Sequence, residues 1–309
     1  MNNPLFHEGE KKAQAITGEA GIAARNIAML RDTVPGGALP FIARQFMVAM
    51  GTVDTAGNVW ASMLFGTPGF AHSENGESIR VEMPSSHRDP LEPAWTNLDE
   101  GKSVGLLFIE LGTRRRFRIN GVLASQDETG FEVGVREAYA NCPKYIQRRE
   151  LRTLGEPGVP GQAAHGNVLR GSVEALIRQA DTVFVASRHP TAGADVSHRG
   201  GEPGFVKLLD ERTLRIPDFP GNSLFNTLGN FLVDPHAGLC MPDFTSGRLL
   251  QLTGTAELHW NEDDPDDETG GTHRYWDFHV GQWILRDAIQ RAEWEFLDAS
   301  PFNPPASHP

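Results

Sequence analysis

Five consecutive residues, Ser197-His198-Arg199-Gly200-Gly201, put a hydroxyl, an imidazole, a guanidinium and glycine amides into one short stretch. That set suits an anion or the polar edge of a heterocycle. Two adjacent glycines also suit a plain tight turn between strands. A second stretch bears on the choice. Residues 62–70 and 197–205 both read Ser-x-x-x-Gly-x-Pro-Gly-Phe, but the earlier one carries Met63, Leu64 and Phe65 where the later has His198, Arg199 and Gly200. The turn is kept without the polar groups, so the turn does not need them. His198 is also the titratable residue of this run whose ordinary pKa suits proton transfer near neutrality.

Further on, Ile216-Pro217-Asp218-Phe219-Pro220-Gly221-Asn222 leads into a helix expected over about 223–233, with Asn222 as its N-cap and Pro235 behind it. Asn222 and Asn226 would then lie one turn apart. A phosphate at the positive helix end and simple capping both explain this pattern. Residues 134–151 read as helical on both sides of Pro143. Lys144 and Arg148 would share a face there, either solvated or reaching an anion held by the other half. On the basic strand Thr113–Arg118, alternation puts Arg116 and Arg118 on one side. That side is a solvated, ion-paired face or an anion contact across the molecule.

Other chemistry is missing. The chain has no Gly-x-Gly-x-x-Gly, phosphate-binding loop, His-Glu-x-x-His or Gly-x-Ser-x-Gly. Cys142 and Cys240 are too few for a disulfide framework or a four-cysteine zinc site, and Cys240 reads as packing. His259, His273 and His279 lack metal-site spacing, and the acidic stretch 261–271 lacks the spacing of a calcium loop. No metal is expected.

The elements that position these groups come in two copies. Beyond the shared Gly-x-Pro-Gly-Phe turn, IRVEMP (79–84) falls opposite TLRIP (213–217). VGLLFIE (104–110) falls opposite AGLCMPD (237–243), and RFRINGVLA (116–124) opposite LLQLTGTAE (249–257). The offset holds at 133–135 in the same order, the mark of a duplicated module. Short Val/Ile/Phe/Leu runs alternate with Gly/Asp/Pro turns, the pattern of antiparallel strands. The expected fold is mainly β: two tandem six-stranded antiparallel split β-barrels with flanking helices, paired within one chain. A helix near 93–100 would answer the one at 223–233. Further helices are expected over 8–31, interrupted by Gly18 and Gly21, and over 172–180 behind a Ser cap. The division reads 1–154 for the helical segment and first barrel, 155–167 for a linker, 168–297 for the second barrel and 298–309 for a flexible tail.

Composition narrows the class of partner. The 309 residues carry a net charge of −12, which excludes a general affinity for nucleic acid or an anionic membrane. The 33 Gly and 21 Pro exceed average usage of about 7% and 5%, and favour turns over long helices. No basic stretch with an apolar run opens the sequence, and no window approaches a membrane span. With two cysteines and no leader, a cytoplasmic protein is expected.

The run ADVSHRGGEPGFVKLLDERTLRIPDFPGNSLFNTLGNFLVDPHAGL resembles the pyridoxamine 5′-phosphate oxidase-like flavoproteins of the FMN-binding split-barrel superfamily. NCPKYIQRR looks like their Cys-Pro-Lys helix, and the FHEGE opening is similar too. The resemblance spans roughly 40–258. It is closest to a double-barrel branch whose longer members carry flavin reductase and ferredoxin modules. It implies an FMN-dependent oxidoreductase, with FMN in the groove between barrels. By position, Ser197, His198, Arg199 and Gly200 would line the flavin ring or ribityl chain, with Pro217 and Asp218 flanking the groove. Asn222 and Asn226 would hold the phosphate, Lys144 would reach in from the opposite wall, and Gln251, at the position answering Arg118, would line the site. His198 is the implied catalytic group. Ser223-Leu224-Phe225 follow Asn222 where relatives carry arginines, which argues against an arginine clamp on the phosphate. The first copy lacks the Pro-Gly-Asn element, so one FMN site per chain is expected. The implied partners are a small-molecule substrate and NAD(P)H or an external flavin or ferredoxin reductase. Homodimerisation is left open. The other reading is a binding or electron-carrier module for flavin, haem or a deazaflavin.

Overall fold

The computed structural model describes residues 6–306. Strand makes up 45% of the described residues and helix 18%. The first half runs α1 (Glu8–Thr17), α2 (Ala20–Asn26), α3 (Leu39–Ala43), β1 (Met47–Val53), β2 (Val59–Phe65), β3 (Ala71–His72) and β4 (Ser78–Glu82). It continues α4 (Pro93–Asn97), β5 (Ser103–Glu110), β6 (Arg115–Asp127) and β7 (Gly130–Ala140). Strands β8 (Arg148–Pro157) and β9 (Ala164–Gly166) lead to α5 (Ser172–Gln179). The second half runs β10 (Thr182–His189), β11 (Gly193–Gly200), β12 (Lys207–Asp210), β13 (Thr213–Pro217) and α6 (Asn226–Phe231). It ends with β14 (His236–Asp243), β15 (Arg248–Trp260), β16 (Arg274–Asp287) and β17 (Gln290–Asp298).

The two sheets have one topology. Their orders are β2-β1-β5-β6-β7-β4-β3 and β11-β10-β14-β15-β16-β13-β12, each strand of the second being the first's counterpart nine strands later. Each sheet has a short extra strand, β3 or β12, beyond the expected six, and β9 adds to the edge of β16. The repeated turns are built alike. Gly69 and Gly204 adopt φ of 99° and 93°, a region closed to most side chains. A Cβ on Gly66 or Gly201 would run into the ring of Phe70 or Phe205.

Each barrel has its own core, around Leu106, Phe108 and Phe131 in the first and Leu239, Trp276 and Phe278 in the second. A third cluster, with Ala49, Ala61 and Leu107 from one barrel and Phe184, Val196 and Cys240 from the other, joins them. This junction is self-complementary. Gly105 abuts the backbone of Asp195, and Gly238 abuts the backbone of Val59–Ala61. Gly105 and Gly238 are 133 apart, and Trp60 and Asp195 are 135 apart, so the two contacts exchange under the duplication as in a twofold dimer.

Several expected elements differ. Residues 134–151 form no helix: β7 and β8 occupy most of them. The register of β7 slips where Asn120 faces Glu137 and Gly121 faces Val135, leaving Arg136 as an extra residue. That bulge resets the alternation and gives a strand the look of a helical period. Lys144 and Arg148 therefore share no helix face. The helix expected from 223 starts at Asn226, because Ser223 and Phe225 sit at φ of 61° and 63°. This loop drives Leu224 into a small core with Phe6 and Tyr139. Ser172 does not cap α5, whose N-cap position is Gly171. Parts of the expected linker are strand, in β8 and β9. The expected flexible tail is tied down through residue 303, with Ser300 N and Asn303 Nδ2 donating to Gln147 Oε1. Residues 1–5 and 307–309 of the assigned segments lie outside the described residues.

Candidate functional site

β6 of the first barrel, β11 of the second and the 218–228 segment bound a solvent-open cleft of roughly 820 Å3. Four arginines line it: Arg116 and Arg118 on β6, Arg199 on β11 and Arg274 at the start of β16. Alternation along β6 puts the first two on one face. Two carboxylates, Glu19 and Asp218, line it as well. Arg274 donates to both, through Nε to Asp218 Oδ2 and an η nitrogen to Glu19 Oε1, each at 2.9 Å. Arg199 stands 3.8 Å from Asp218 Oδ1.

Positive charge is left over. Arg116 donates only to carbonyls, to Cys142 O at 2.7 Å and His198 O at 3.2 Å. Burial, then the nearby Arg199 and Arg118, push its pKa down to about 9. Arg199 is also lowered, chiefly by burial. Arg118, 5% exposed, donates to Tyr139 Oη at 2.9 Å and Ser197 Oγ at 2.5 Å and lies 3.5 Å from Asp195 Oδ2. The buried Nε atoms of Arg118 and Arg199 have no acceptor.

Ser197 and His198 point to opposite faces of β11. Ser197 Oγ lies 2.7 Å from Thr227 Oγ1, at the wall built by α6. His198, 2% exposed, packs edge-on to Phe184 with ring centroids 5.8 Å apart. Neither ring nitrogen has a protein partner. Burial, then Arg116, Arg199 and Arg149, hold its pKa well below the usual histidine range, so the ring is neutral at pH 7. The expectation of a proton donor tuned to neutrality is corrected accordingly. Gly200 lets Tyr145 O approach, at a point where a Cβ would sit 2.0 Å away.

Of the residues expected from the sequence, Ser197, His198, Arg199, Gly200, Asp218, Asn222 and Asn226 line this cleft together. Pro217 lies beside it on β13, paired with Tyr275. Lys144 does not line it: its Nζ sits 5.3 Å over the ring of Phe302. Asn222 caps no helix. Its Oδ1 accepts from Leu224 N within the loop, and α6 has only six residues behind a left-handed Phe225. The expected phosphate site at a helix end is not built, and the arginines present the donors instead. Arg116 and Arg118 were visible as an alternating pair, whereas Arg274 and Glu19 carried no motif.

Gln251 is the clearest displacement. It lies in the mirror groove on the other side of the junction, donating to Ala61 O at 2.9 Å and Ser62 Oγ at 3.3 Å. Ser62 and Gln251 are the counterparts of Ser197 and Arg118. There the groove is filled: Arg286 donates to Asp89 at 2.7 Å, to Glu92 and to Gln251 Oε1, all of them buried. Roughly 320 Å3 remains, lined largely by apolar residues such as Met63, Leu64 and Trp95.

No protein-family model and no curated protein sequence matches this chain. Solved structures similar to it include a HupZ variant from Group A Streptococcus, at 14% identity and a TM-score of 0.31 over 38% of this chain and 98% of that one. A provisionally assigned pyridoxamine 5′-phosphate oxidase from Lactobacillus delbrueckii aligns at 16% identity and 0.32, over 40% and 98%. HutZ, a heme storage protein from Vibrio cholerae, aligns at 11% identity and 0.28, over 38% and 95%. No helix among the described residues is long and apolar enough to cross a membrane.

Proposed function

We propose that the arginine cleft holds FMN and that the chain is an FMN-dependent oxidoreductase, passing hydride or electrons between a reduced nicotinamide or partner reductase and a small molecule. One observation carries this reading: Arg116 has no carboxylate partner among the described residues, beside two further arginines whose buried Nε atoms lack acceptors. A phosphate monoester dianion supplies what these donors lack.

When bound, FMN supplies the hydride and electron chemistry. The chain's part is binding and electrostatics. Arg116 and Arg199 would donate to the anion, and Ser197 holds Arg118 in place. Fixed guanidinium groups also favour a cofactor that gains negative charge on reduction. His198 is proposed as the group contacting the reacting molecule. As a neutral ring it offers one donor and one acceptor, and full turnover in His198→Ala would remove it from the chemistry.

The visible spectrum of the purified protein tests the reading. Bands near roughly 370 and 450 nm support bound FMN. A colourless protein that takes up no added FMN overturns the proposal. A Soret band would favour the carrier reading instead. Consumption of NADH or NADPH separates an enzyme from a carrier.

A further inference from the structure

A second cavity, of opposite charge, lies beyond the arginine cleft. Residues 6–11 cover it, and Asn120 of β6, Glu137 of β7, Asp195 of β11 and Asn226 of α6 form walls around roughly 930 Å3 open to solvent. Asn226 is common to both cavities: its Oδ1 accepts from Tyr139 Oη at 3.0 Å, and its Nδ2 donates to Glu10 Oε1 at 2.7 Å.

The walls hold an excess of acceptors. Glu10 and Asp195 are 4% and 3% exposed. Glu10 accepts from His7 N at 2.9 Å, Glu137 from Asn120 Nδ2 at 3.0 Å and Asp195 from Ser187 Oγ at 2.7 Å. Asp195 has Arg118 at 3.5 Å, whereas no ion pair joins Glu137 to a cation among the described residues. Lys11 is exposed at the rim. His7 is driven to about 4 by burial and by His189, so it brings no positive charge at neutral pH. Asn120, 8% exposed, gives its amide nitrogen to Glu137 while its buried Oδ1 has no partner. Burial, with repulsion from Glu137 and Asp195, lifts Glu10 to about 8, and Glu137 and Asp195 are raised as well.

A metal ion is a poor answer to this excess. Among the described residues, the close-set group of potential ligands is His7, Glu8 and His189, not Glu10, Glu137 and Asp195. Both imidazoles there accept backbone N–H groups at Nδ1, from Gly9 for His7 and from Thr191 and Ala192 for His189. Their neutral tautomers therefore carry the proton on Nε2, the position a metal would need.

We infer that this chamber binds an organic cation bearing primary ammonium groups, with Glu10, Glu137 and Asp195 as counter-charges and Asn120 Oδ1 as a fixed acceptor. The inference stands apart from the identity of the ligand in the arginine cleft.

Calorimetric titration of the full chain with 1,4-diaminobutane at pH 7 tests it, with 1,4-butanediol and Mg2+ as comparisons. Saturable diamine binding is expected, with no binding of the diol. Affinity should fall at least tenfold in Glu137→Gln and in Asn120→Leu, each checked for an intact melting transition. Binding should also release protons, because an ammonium beside Glu10 favours its ionised form. That release appears as heat that changes with buffer ionisation enthalpy. Absence of saturable diamine binding overturns the inference. So does unchanged affinity in a folded variant, or Mg2+ binding as tightly with the same sensitivity. Flavin uptake, read on the same samples, is a separate outcome, so failure of either reading is recognised on its own.

Discussion

Arg118 of the first barrel donates to Ser197 Oγ of the second at 2.5 Å, and the same contact recurs across the junction as Gln251 to Ser62 at 3.3 Å. One backbone arrangement thus carries two side-chain outcomes. Where the donor is an arginine, the groove is open and short of negative charge. Where it is a glutamine, Arg286 pairs with both Asp89 and Glu92, and the three fill the space.

The first prediction follows from Arg116, which touches carbonyls and no carboxylate. Arg116→Gln should weaken FMN binding about tenfold to a hundredfold, since hydrogen bonds to charged groups contribute about 1.5–3 kcal/mol. Thermal stability should hold or rise, because a half-buried cation without a counter-charge is removed. Fluorescence titration with FMN and a melting curve on the same sample check both.

The filled groove makes a contrasting prediction. Arg286→Met leaves Asp89 and Glu92 buried without their cation, and should cost about 3–5 kcal/mol. Adding Asp89→Asn and Glu92→Gln should recover much of that loss. Denaturant unfolding gives the values. Extracted flavin should stay at one per chain in every case, and a value approaching two would contradict the assignment of a single site.

The pH response combines two signs. Unfolded, His7 and His198 bind protons below about 6.5. Folded, His198 stays neutral well below that and His7 down to about 4. The unfolded state therefore holds more protons below 6.5, and acidification through that window destabilises the fold. Glu10 acts the other way. It stays protonated in the fold up to about 8, so its contribution falls as pH rises from 4.5 towards 8. Glu10→Gln should gain on the wild type over that range, by up to about 1.4 kcal/mol per pH unit. Parallel stability curves for the two proteins would refute this.

The barrel junction yields the fourth prediction. A Cβ on Gly238 would lie 2.6 Å from Val59 O and 2.7 Å from Trp60 Cα. Both are backbone atoms that cannot rotate away, so Gly238→Ala should cost about 1–3 kcal/mol. Gly105→Ala, its counterpart facing Asp195, should cost a similar amount. An unchanged unfolding midpoint for both would show that the junction is loose.

The sequence by itself determined what is local or repeated. The 133–135 offset, the Gly-x-Pro-Gly-Phe turns and the short alternating runs depend on near-neighbour sterics, and they reappear as two sheets of one topology. Only the tertiary structure decided which distant groups meet. The bulge at Arg136 removed a helix that the residue pattern suggested. Left-handed Ser223 and Phe225 dismantled the helix end at Asn222, because Leu224 gains more by burial against Phe6 and Tyr139. Gln251 and Lys144 left the site, while Arg274 entered it from the start of β16 and Glu19 from the N-cap position of α2, with no motif to mark them. The physical reason is range. Turn and strand preferences act over a few residues. A cleft is assembled by barrel docking, which brings together residues more than a hundred apart, such as Arg274 and Glu19.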